Sequence, residues 1–241
     1  MTPMQASDRW LETPLGEAVL AREVALLQEG LADVFGFELL QIGSWGAAGR
    51  LIAAARTQHR SWIAPDASGP GAIRAEFHSL PVATSSIEAV FLPHTLEHAP
   101  HPHELLREVD RVLMGEGSLL ICGFNPLGPW GVRHLLSGRR FPAPAVRLMS
   151  EGRIRDWLRL LGFEVVSAQR YLFIPPWSPR LPGPGREWLE QRMSELVPPL
   201  AGAYLVKARK RVHALTPIRP AWKLRPVVVV GAPEPTTRNA A

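Results

Sequence analysis

Short apolar segments alternate with helical segments along the first half of this 241-residue chain, and this alternation constrains the fold more than any other feature. Strands are predicted at 38–42, 61–65, 75–80, 87–92 and 118–122. Strands that alternate with helices are typical of parallel sheets with right-handed crossover connections. The pattern therefore predicts an α/β fold in which helices cover both faces of a mostly parallel sheet.

Two predicted helices carry clear boundary signals. The first begins at Thr13-Pro14, where a capping hydroxyl precedes a proline, and we predict that it ends at Gly36. The second begins at His101-Pro102 and ends before Gly115, with apolar residues three and four positions apart. Weaker helical patterns are predicted at 47–56, 146–161 and 188–196. Both clear helices flank predicted strands, as the α/β pattern requires.

The second half of the chain contains more irregular structure, because prolines cluster there. Loops are predicted at 123–144 and 175–184, and strands at 164–173 and 203–208. We expect residues 1–215 to form one domain and residues 216–241 to be a loosely attached tail.

Charge and composition narrow the class of protein without naming it. The net charge is +5 and the pI is about 10.1, which is compatible with an anionic small molecule, a nucleic acid or a lipid surface. The basic run 207–211 has no interleaved aromatic residue, so nucleic-acid binding is not favoured. Cys122 is the single cysteine, and no apolar run is long enough to span a membrane. A cytoplasmic protein is the default expectation.

The turn after the first strand reads Leu-Leu-Gln-Ile-Gly-Ser-Trp-Gly, at residues 39–46. A glycine-containing turn between a strand and a helix lets backbone amides approach a ligand at the positive end of the helix. The same turn also occurs where no ligand binds, so by itself it leaves both alternatives open.

Residues 38–125 carry a series of motifs that resembles the class I S-adenosylmethionine-dependent methyltransferases, in their small-molecule, type 11-like branch. The series has the order found in that branch, with Leu80-Pro81, Leu96-Glu97-His98, Arg111-Val112-Leu113 and Gly117. The resemblance implies a Rossmann-like fold with a mostly parallel seven-stranded sheet flanked by helices. It also implies that 38–125 is the cofactor-binding half and 126–210 the substrate-side half.

The resemblance further implies S-adenosyl-L-methionine as cofactor and a role for each matching residue. Gly43 and His94 correspond to the methionine end, Asp66 to the ribose, and Glu76 and Phe77 to the adenine. Gly46 is a further candidate cofactor-binding residue, which leaves room in the turn. These residue types suit the roles, since a carboxylate accepts hydrogen bonds from two hydroxyls and an aromatic ring stacks on adenine.

Two residues of the turn depart from the pattern of this branch. Gln41 stands where an acidic residue is usual, and Trp45 stands where a second glycine is usual. Gln41 is neutral and cannot pair with the amino group of the cofactor as a carboxylate does. Trp45 adds bulk where close backbone approach is expected. Both remain candidate cofactor-binding residues, and both support the alternative of a non-catalytic protein with this fold.

Two further residues are candidates for catalysis. His98 is a candidate general base for a hydroxyl acceptor, and Asn125, at the end of the fifth strand, is a candidate for orienting the acceptor. The alternative for Asn125 is an Asx turn. His94 and His98 are also four residues apart with Glu97 between them, but the order His-x-x-Glu-His lacks the His-Glu-x-x-His spacing of metalloproteases, so no metal is predicted.

The sequence thus predicts an S-adenosylmethionine-dependent methyltransferase that acts on an unidentified small molecule. Acceptor specificity is expected from residues 123–145 and 171–190. The competing hypotheses are a non-catalytic binding protein of the same fold, a metallohydrolase that uses the histidines, and a nucleic-acid-modifying enzyme. The sequence does not indicate the oligomeric state.

Overall fold

The computed structural model describes residues 9–34, 36, 38–46, 51–55, 57–67, 72–138, 141, 147–178, 183–212 and 231. The strands β1 to β7 lie at Glu38–Ile42, His59–Ala64, Ala72–Arg74, Ile87–Pro93, Leu113–Phe124, Phe163–Tyr171 and Ala203–Lys210. The helices α1 to α6 lie at Pro14–Gly30, Thr95–His98, Pro102–Val112, Pro129–Leu136, Glu151–Leu160 and Gly183–Leu196. Short 3₁₀ turns lie at Ile52–Ala54 and Pro198–Leu200. Most of the tail predicted at 216–241 lies outside the described residues.

The seven strands form a single sheet in the order β3-β2-β1-β4-β5-β7-β6. The strands β1 to β5 pair in parallel, and β7 runs antiparallel between β5 and β6. The ends of β1, β2, β4, β5 and β6 therefore lie on one side of the sheet, which we call the carboxyl edge. This edge is where open α/β sheets bind ligands. The predicted mostly parallel seven-stranded sheet is confirmed.

Two apolar layers cover the faces of the sheet, as expected for strands buried on both sides. On one face, α3 and α5 pack against alternate strand residues such as Leu40 and Val90. On the other face, α1 packs against the intervening residues, such as Leu39 and Phe91. Among the described helices, none is both long enough and apolar enough to cross a membrane.

The predicted start of α1 is confirmed, but its predicted end is wrong. The Thr13 hydroxyl accepts the N–H of Gly16 at 3.1 Å, and Pro14 occupies the first helical turn. The helix ends at Gly30 rather than Gly36. The N–H of Leu31 bonds the carbonyl of Leu27 at 2.8 Å and closes the last turn. Leu31 and Val34 are buried in the connection that follows, so the apolar spacing continued past the end of the helix.

The strand predicted at 75–80 is wrong. The third strand is Ala72–Arg74, a short edge strand that is largely exposed and therefore lacks an apolar pattern. Residues 75–80 form a turn, in which the N–H of Ser79 bonds the carbonyl of Glu76 at 3.2 Å. Phe77 and Leu80 are buried because this turn folds back onto the core.

The loop predicted at 123–144 contains a helix, α4, that the prolines and glycines concealed. Pro129 occupies the first helical turn, where its missing N–H costs nothing. Gly131 allows close packing, since a Cβ there would lie 2.3 Å from the carbonyl oxygen of Pro126. The described part of 47–56 contains only a 3₁₀ turn, and 47–50 and 56 lie outside the described residues. The helix predicted at 146–161 is confirmed in its core but begins only at Glu151.

Candidate functional site

The turn after β1 lies at the carboxyl edge and is built around two glycines with left-handed backbone. Gly43 has a φ of 105° and Gly46 a φ of 85°. A Cβ at Gly43 would lie 2.5 Å from the hydroxyl oxygen of Thr95, so a glycine is needed for this approach to α2. The N–H of Gly43 donates to the carbonyl of Ile63 at 2.7 Å, and the Thr95 hydroxyl donates to the carbonyl of Ile42. The turn is thereby attached to both β2 and α2.

Gln41 is buried at the end of β1 and stabilises this turn from within. Its Nε2 donates to the carbonyl of Gly43 at 2.9 Å and to the carbonyl of Trp45 at 3.3 Å. A carboxylate has no hydrogen to donate, so an acidic residue cannot make these contacts. Its other atom, Oε1, has no hydrogen-bond partner among the described residues. Gln41 therefore has a structural role in the turn, and its acceptor atom Oε1 is not used by any described residue.

A buried group of polar side chains lies next to the turn; we call it the His94 cluster, and it consists of Glu23, Trp45, His94, Glu97 and Tyr171. The His94 Nε2 lies 2.9 Å from an oxygen of Glu23, and its Nδ1 lies 3.4 Å from an oxygen of Glu97. The Trp45 indole N–H and the Tyr171 hydroxyl donate to Glu23 at 2.8 and 3.1 Å. All five side chains are buried, so the cluster joins α1, the turn, β4, α2 and β6 at one point.

Protonated His94 supplies the positive charge of this cluster, between Glu23 and Glu97. Burial by itself lowers the pKa of His94, but the negative charges of Glu23 and Glu97 and the hydrogen bonds to them outweigh burial and raise the pKa to about 9. His94 is therefore a cation at neutral pH and donates through both ring nitrogens. Burial, together with the charge of Glu23, raises the pKa of Tyr171 well above its ordinary value, so its hydroxyl remains a donor.

The backbone at His94 is itself unusual. Its φ is 53°, a left-handed conformation that few residues other than glycine adopt. The ring lies between two aromatic side chains, with centroid distances of 4.5 Å to Trp45 and 4.2 Å to Phe124. Glu97 accepts the N–H of Phe124, which fixes the end of β5 to the same group. A non-glycine residue in this conformation at the carboxyl edge is typical of ligand sites.

Glu23 and Tyr171 complete the site but were not predicted from the sequence. Glu23 follows Leu20 by three positions and precedes Leu27 by four, so it lies on the apolar face of α1. A charged residue in an apolar helical stripe is the signal that could have identified it, because a buried charge requires a partner. Tyr171 ends a strand and carried no comparable signal.

The predicted ribose and adenine residues differ in their exposure. Asp66 follows the end of β2 at the carboxyl edge and is half-buried. Glu76 is exposed in the turn that replaced the predicted third strand. Phe77 is buried in the core beside this turn, with 9% of its surface exposed. These roles stay predictions, and Asp66 has the position at the carboxyl edge that its role requires.

The two candidate catalytic residues have different surroundings. His98 ends the short helix α2 and is half-buried. The Asn125 amide nitrogen donates to the carbonyls of Pro199 and Ala201 at 2.8 and 2.9 Å, and its oxygen accepts the N–H of Leu127 at 3.2 Å. Both hydrogens of this amide are used within the chain. The geometry thus supports the Asx-turn alternative for Asn125, while His98 stays a candidate base.

The metallohydrolase and nucleic-acid hypotheses concern the histidines and the basic run 207–211. In the part of the chain that the structure describes, no three His, Cys, Asp or Glu side chains are arranged to hold a metal ion. The basic run 207–211 lies mostly within β7 and takes part in ion pairs. Lys207 pairs with Asp33, Lys210 with Asp110, and Arg211 with Glu116 and Glu164.

Comparisons with known proteins agree with this architecture. A family model described as a methyltransferase domain matches residues 47–121. The uncharacterized protein YafS of Escherichia coli (strain K12) is 34% identical over 212 residues, which are 88% of this chain and 84% of YafS. A solved S-adenosylmethionine-dependent methyltransferase from Thermotoga maritima aligns with a TM-score of 0.58 and 15% identity, over 85% of this chain and 94% of its own. The cyclase SpnF aligns with a TM-score of 0.56 and 19% identity, over 80% and 81% of the two chains.

The strand order defines the class I methyltransferase fold, and the model of a methyltransferase domain matches residues 47–121 within it. The chain belongs to the same family as YafS. The methyltransferase-domain match indicates S-adenosyl-L-methionine as the cofactor. The two solved structures, at their low identities, show only that the fold is shared.

Polar atoms of the turn fit this cofactor. Gln41 Oε1 and the Ser44 hydroxyl are buried and have no hydrogen-bond partner among the described residues. Buried polar atoms normally have partners, and the methionine end of the cofactor offers an ammonium donor and a carboxylate acceptor. The polar atoms of Trp45 and His94, in contrast, already bond Glu23 and Glu97 within the His94 cluster. Gln41, Ser44 and the half-buried Asp66 are therefore the residues that would hold it.

Proposed function

We propose that this protein is an S-adenosylmethionine-dependent methyltransferase that acts on a small-molecule acceptor. The observation that carries the proposal is a pair of buried polar atoms in the turn after β1, Gln41 Oε1 and Ser44 Oγ, that have no hydrogen-bond partner among the described residues. Leaving such atoms without a partner costs about 1–3 kcal/mol each. Binding the polar methionine end of the cofactor satisfies them, and the matched methyltransferase domain supports the same assignment.

The chain contributes alignment and proton transfer to this reaction. S-adenosylmethionine, when bound, supplies a methyl group made electrophilic by its positively charged sulfur. The acceptor atom must be held in line with that methyl group, and water must be excluded. His94 has no lone pair to accept a proton at neutral pH, because its pKa is about 9. We assign the removal of an acceptor proton to His98, which is half-buried at the end of α2.

Calorimetric titration of the full chain with S-adenosylmethionine and with S-adenosylhomocysteine tests the cofactor site. We expect one-to-one binding of both molecules. Absence of detectable binding of either molecule at millimolar concentration contradicts the proposal.

Asp66→Asn provides a sharper version of this test. The carboxylate that would accept the ribose hydroxyls becomes a neutral amide of the same size, so we expect roughly tenfold weaker binding, about 1.4 kcal/mol. Asp156→Asn, on the exposed surface of α5, is the matched control and leaves binding unchanged. Equal affinities of the two variants would exclude Asp66 from the ribose site.

A second function, ligand binding without methyl transfer, is favoured by one observation. The His94 cluster fills the space beside the turn with buried, mutually bonded side chains, and Trp45 is held there through Glu23. The likeness to the cyclase SpnF also shows that the fold by itself does not fix the chemistry. Binding of S-adenosylhomocysteine, but of no acceptor and with no turnover, supports this alternative.

A further inference from the structure

A cleft of about 520 Å³ opens on the α1 side of the carboxyl edge. Its walls are α1, which contributes Ala18 and Arg22, the end of β6 with the residues that follow it, and α6, which contributes Glu190. This volume is in the range of sites that bind small molecules. Residues of the region 171–190, from which acceptor specificity is expected, line this cleft.

The cleft contains an arginine that no described carboxylate pairs with. Arg22 and Arg170 both line it, and Arg22 forms no ion pair with any residue that the structure describes. Glu190 lines the same cleft, but its two oxygens accept the N–H groups of Phe173 and Ile174 at 2.9 and 3.2 Å, so this carboxylate bonds the backbone rather than Arg22. An arginine without a carboxylate partner at the rim of a cleft favours an anionic ligand, since its fork of donors suits carboxylate and phosphate groups.

The floor of the cleft is apolar and its backbone is strained. Leu172 and Phe173 line the floor and are otherwise buried. Leu172 has a φ of 61°, which is costly for a residue with a branched side chain. The hydrogen bond from the N–H of Gly202 to the carbonyl of Leu172, at 3.0 Å, holds this conformation. Leu172 and Phe173 thus form an apolar floor on which an apolar part of a ligand can pack.

A chain of hydrogen bonds connects this cleft to the end of β4. Tyr171 lines the cleft and donates to Glu23, which in turn bonds His94. The cleft is therefore adjacent to the part of the carboxyl edge where the methionine end of the cofactor is expected.

A neighbouring cleft of about 350 Å³ shares Arg170 but has a different charge balance. Glu151 lies in this smaller cleft and bonds both Arg155, at 2.7 Å, and Arg170, at 2.5 Å. The two guanidinium groups are already compensated there by a carboxylate. Of these two clefts, the larger one combines an arginine that has no described ion-pair partner with an apolar floor and a connection to the His94 cluster.

We propose that the larger cleft binds a small molecule that joins an anionic group to an apolar body, with Arg22 holding the anionic group. This inference rests on the proposed function, in which the methyl acceptor is this molecule or another that joins an anionic group to an apolar body. The anionic end lies at the rim beside Arg22 and the apolar body lies on Leu172 and Phe173. Arg22 is thus the residue that determines specificity for charge.

Two fluorescent probes with related ring systems test the charge preference. The probe 8-anilinonaphthalene-1-sulfonate carries a sulfonate, and N-phenyl-1-naphthylamine is its uncharged counterpart. We expect the sulfonate probe to bind the full chain at one site. In Arg22→Ala its dissociation constant should rise at least tenfold, while that of the neutral probe changes less than twofold. Arg107→Ala, which removes one exposed arginine from α3, is the control for net charge and leaves both values unchanged.

A second variant keeps the test independent of charge. Ala18→Trp places a large side chain in the cleft from the exposed face of α1 and should weaken both probes. The proposal is overturned if the two probes respond equally to Arg22→Ala, if neither responds to Ala18→Trp, or if the native chain binds no sulfonate probe.

Titration of Arg22→Ala with S-adenosylhomocysteine separates this proposal from the proposed function. The variant should keep the native affinity within twofold, because Arg22 lies outside the turn that would hold the cofactor. If the native chain binds the sulfonate probe through Arg22 but does not bind S-adenosylhomocysteine, the cleft proposal is supported and the proposed function is contradicted. If the native chain binds S-adenosylhomocysteine but does not bind the sulfonate probe through Arg22, only the cleft proposal is contradicted.

Discussion

Two regions of the carboxyl edge share the helix α1 but differ in how they treat charge. On the side of β1 and β4, Glu23 points inward and is bonded by three buried side chains. On the side of β6, its neighbour Arg22 lines an open cleft without an ion-pair partner among the described residues. Adjacent helical residues point about 100° apart, so one helix can serve both regions.

This difference indicates a division between support and recognition. Buried charges are tolerated only where they are paired, so the His94 cluster fixes the relative positions of α1, the turn and the strand ends. An exposed charge at a cleft costs little in the free protein and remains available to a ligand. The comparison implies that changes in the cluster affect stability first, whereas changes in the cleft affect binding first.

Removal of the cation at the centre of the cluster should have the largest effect. His94→Asn leaves Glu23 and Glu97 buried without a positive partner, and we expect it to lower the free energy of unfolding by about 3–5 kcal/mol. Asparagine tolerates the left-handed backbone at this position, so the substitution adds no backbone strain to the loss of the charge and of the ring. Urea denaturation of the native and variant chains measures the difference.

Two further variants serve as controls for this loss. His78→Asn makes the same change in an exposed turn and should alter stability by less than about 0.5 kcal/mol. The double variant His94→Asn with Glu23→Gln should lose less than the sum of the two single variants, because it also removes an unpaired carboxyl group. Strict additivity would show that the two residues are not coupled.

The stability of the native chain should also fall as the pH rises from about 6.5 to 9. The pKa of His94 is raised to about 9 in the folded protein, above its ordinary value of 6.5. Its stabilising contribution is therefore complete below pH 6.5 and is lost as the pH passes through 9. A difference of this size corresponds to about 3 kcal/mol at most. Urea denaturation at several pH values measures it, and His94→Asn should abolish this part of the pH dependence.

A native chain whose free energy of unfolding is constant to about 0.5 kcal/mol between these pH values would contradict the charge assignment. In that case, His94 is neutral in the folded protein and the cluster is held by hydrogen bonds alone. The His94 cluster and the cleft at Arg22 would then differ in hydrogen bonding and exposure, and not in how their charges are paired.

Much of the fold could be predicted because strand and helix periodicity reflects burial directly. The first strand and the fourth are buried along most of their length, so their apolar runs located them closely. The third strand could not be located, since a three-residue edge strand is exposed and leaves no apolar pattern. The helix α4 was missed because its proline and glycines serve its start and its close packing, whereas in sequence they resemble a loop.

The candidate site was predictable where it follows the strand ends and unpredictable where it depends on distant residues. Gly43, Asp66 and His94 lie at the carboxyl edge, as their sequence positions predicted. The partners of Trp45 and His94 were not predictable, because Glu23 is separated from His94 by 71 positions and Tyr171 from Glu23 by 148. Contacts of this kind depend on packing between α1, β4 and β6, which local sequence patterns do not encode.

The smallest effect should come from the start of α1, the helix that both regions share. Thr13→Ala removes the side chain that accepts the N–H of Gly16 and should lower the free energy of unfolding by about 1 kcal/mol. Hydrogen exchange should show the loss concentrated in the first turns of α1, near Ala18 in the cleft, with less effect on the buried Glu23. Equal deprotection along the whole helix would indicate that the cluster and the cleft open together, and that the two regions are one cooperative unit.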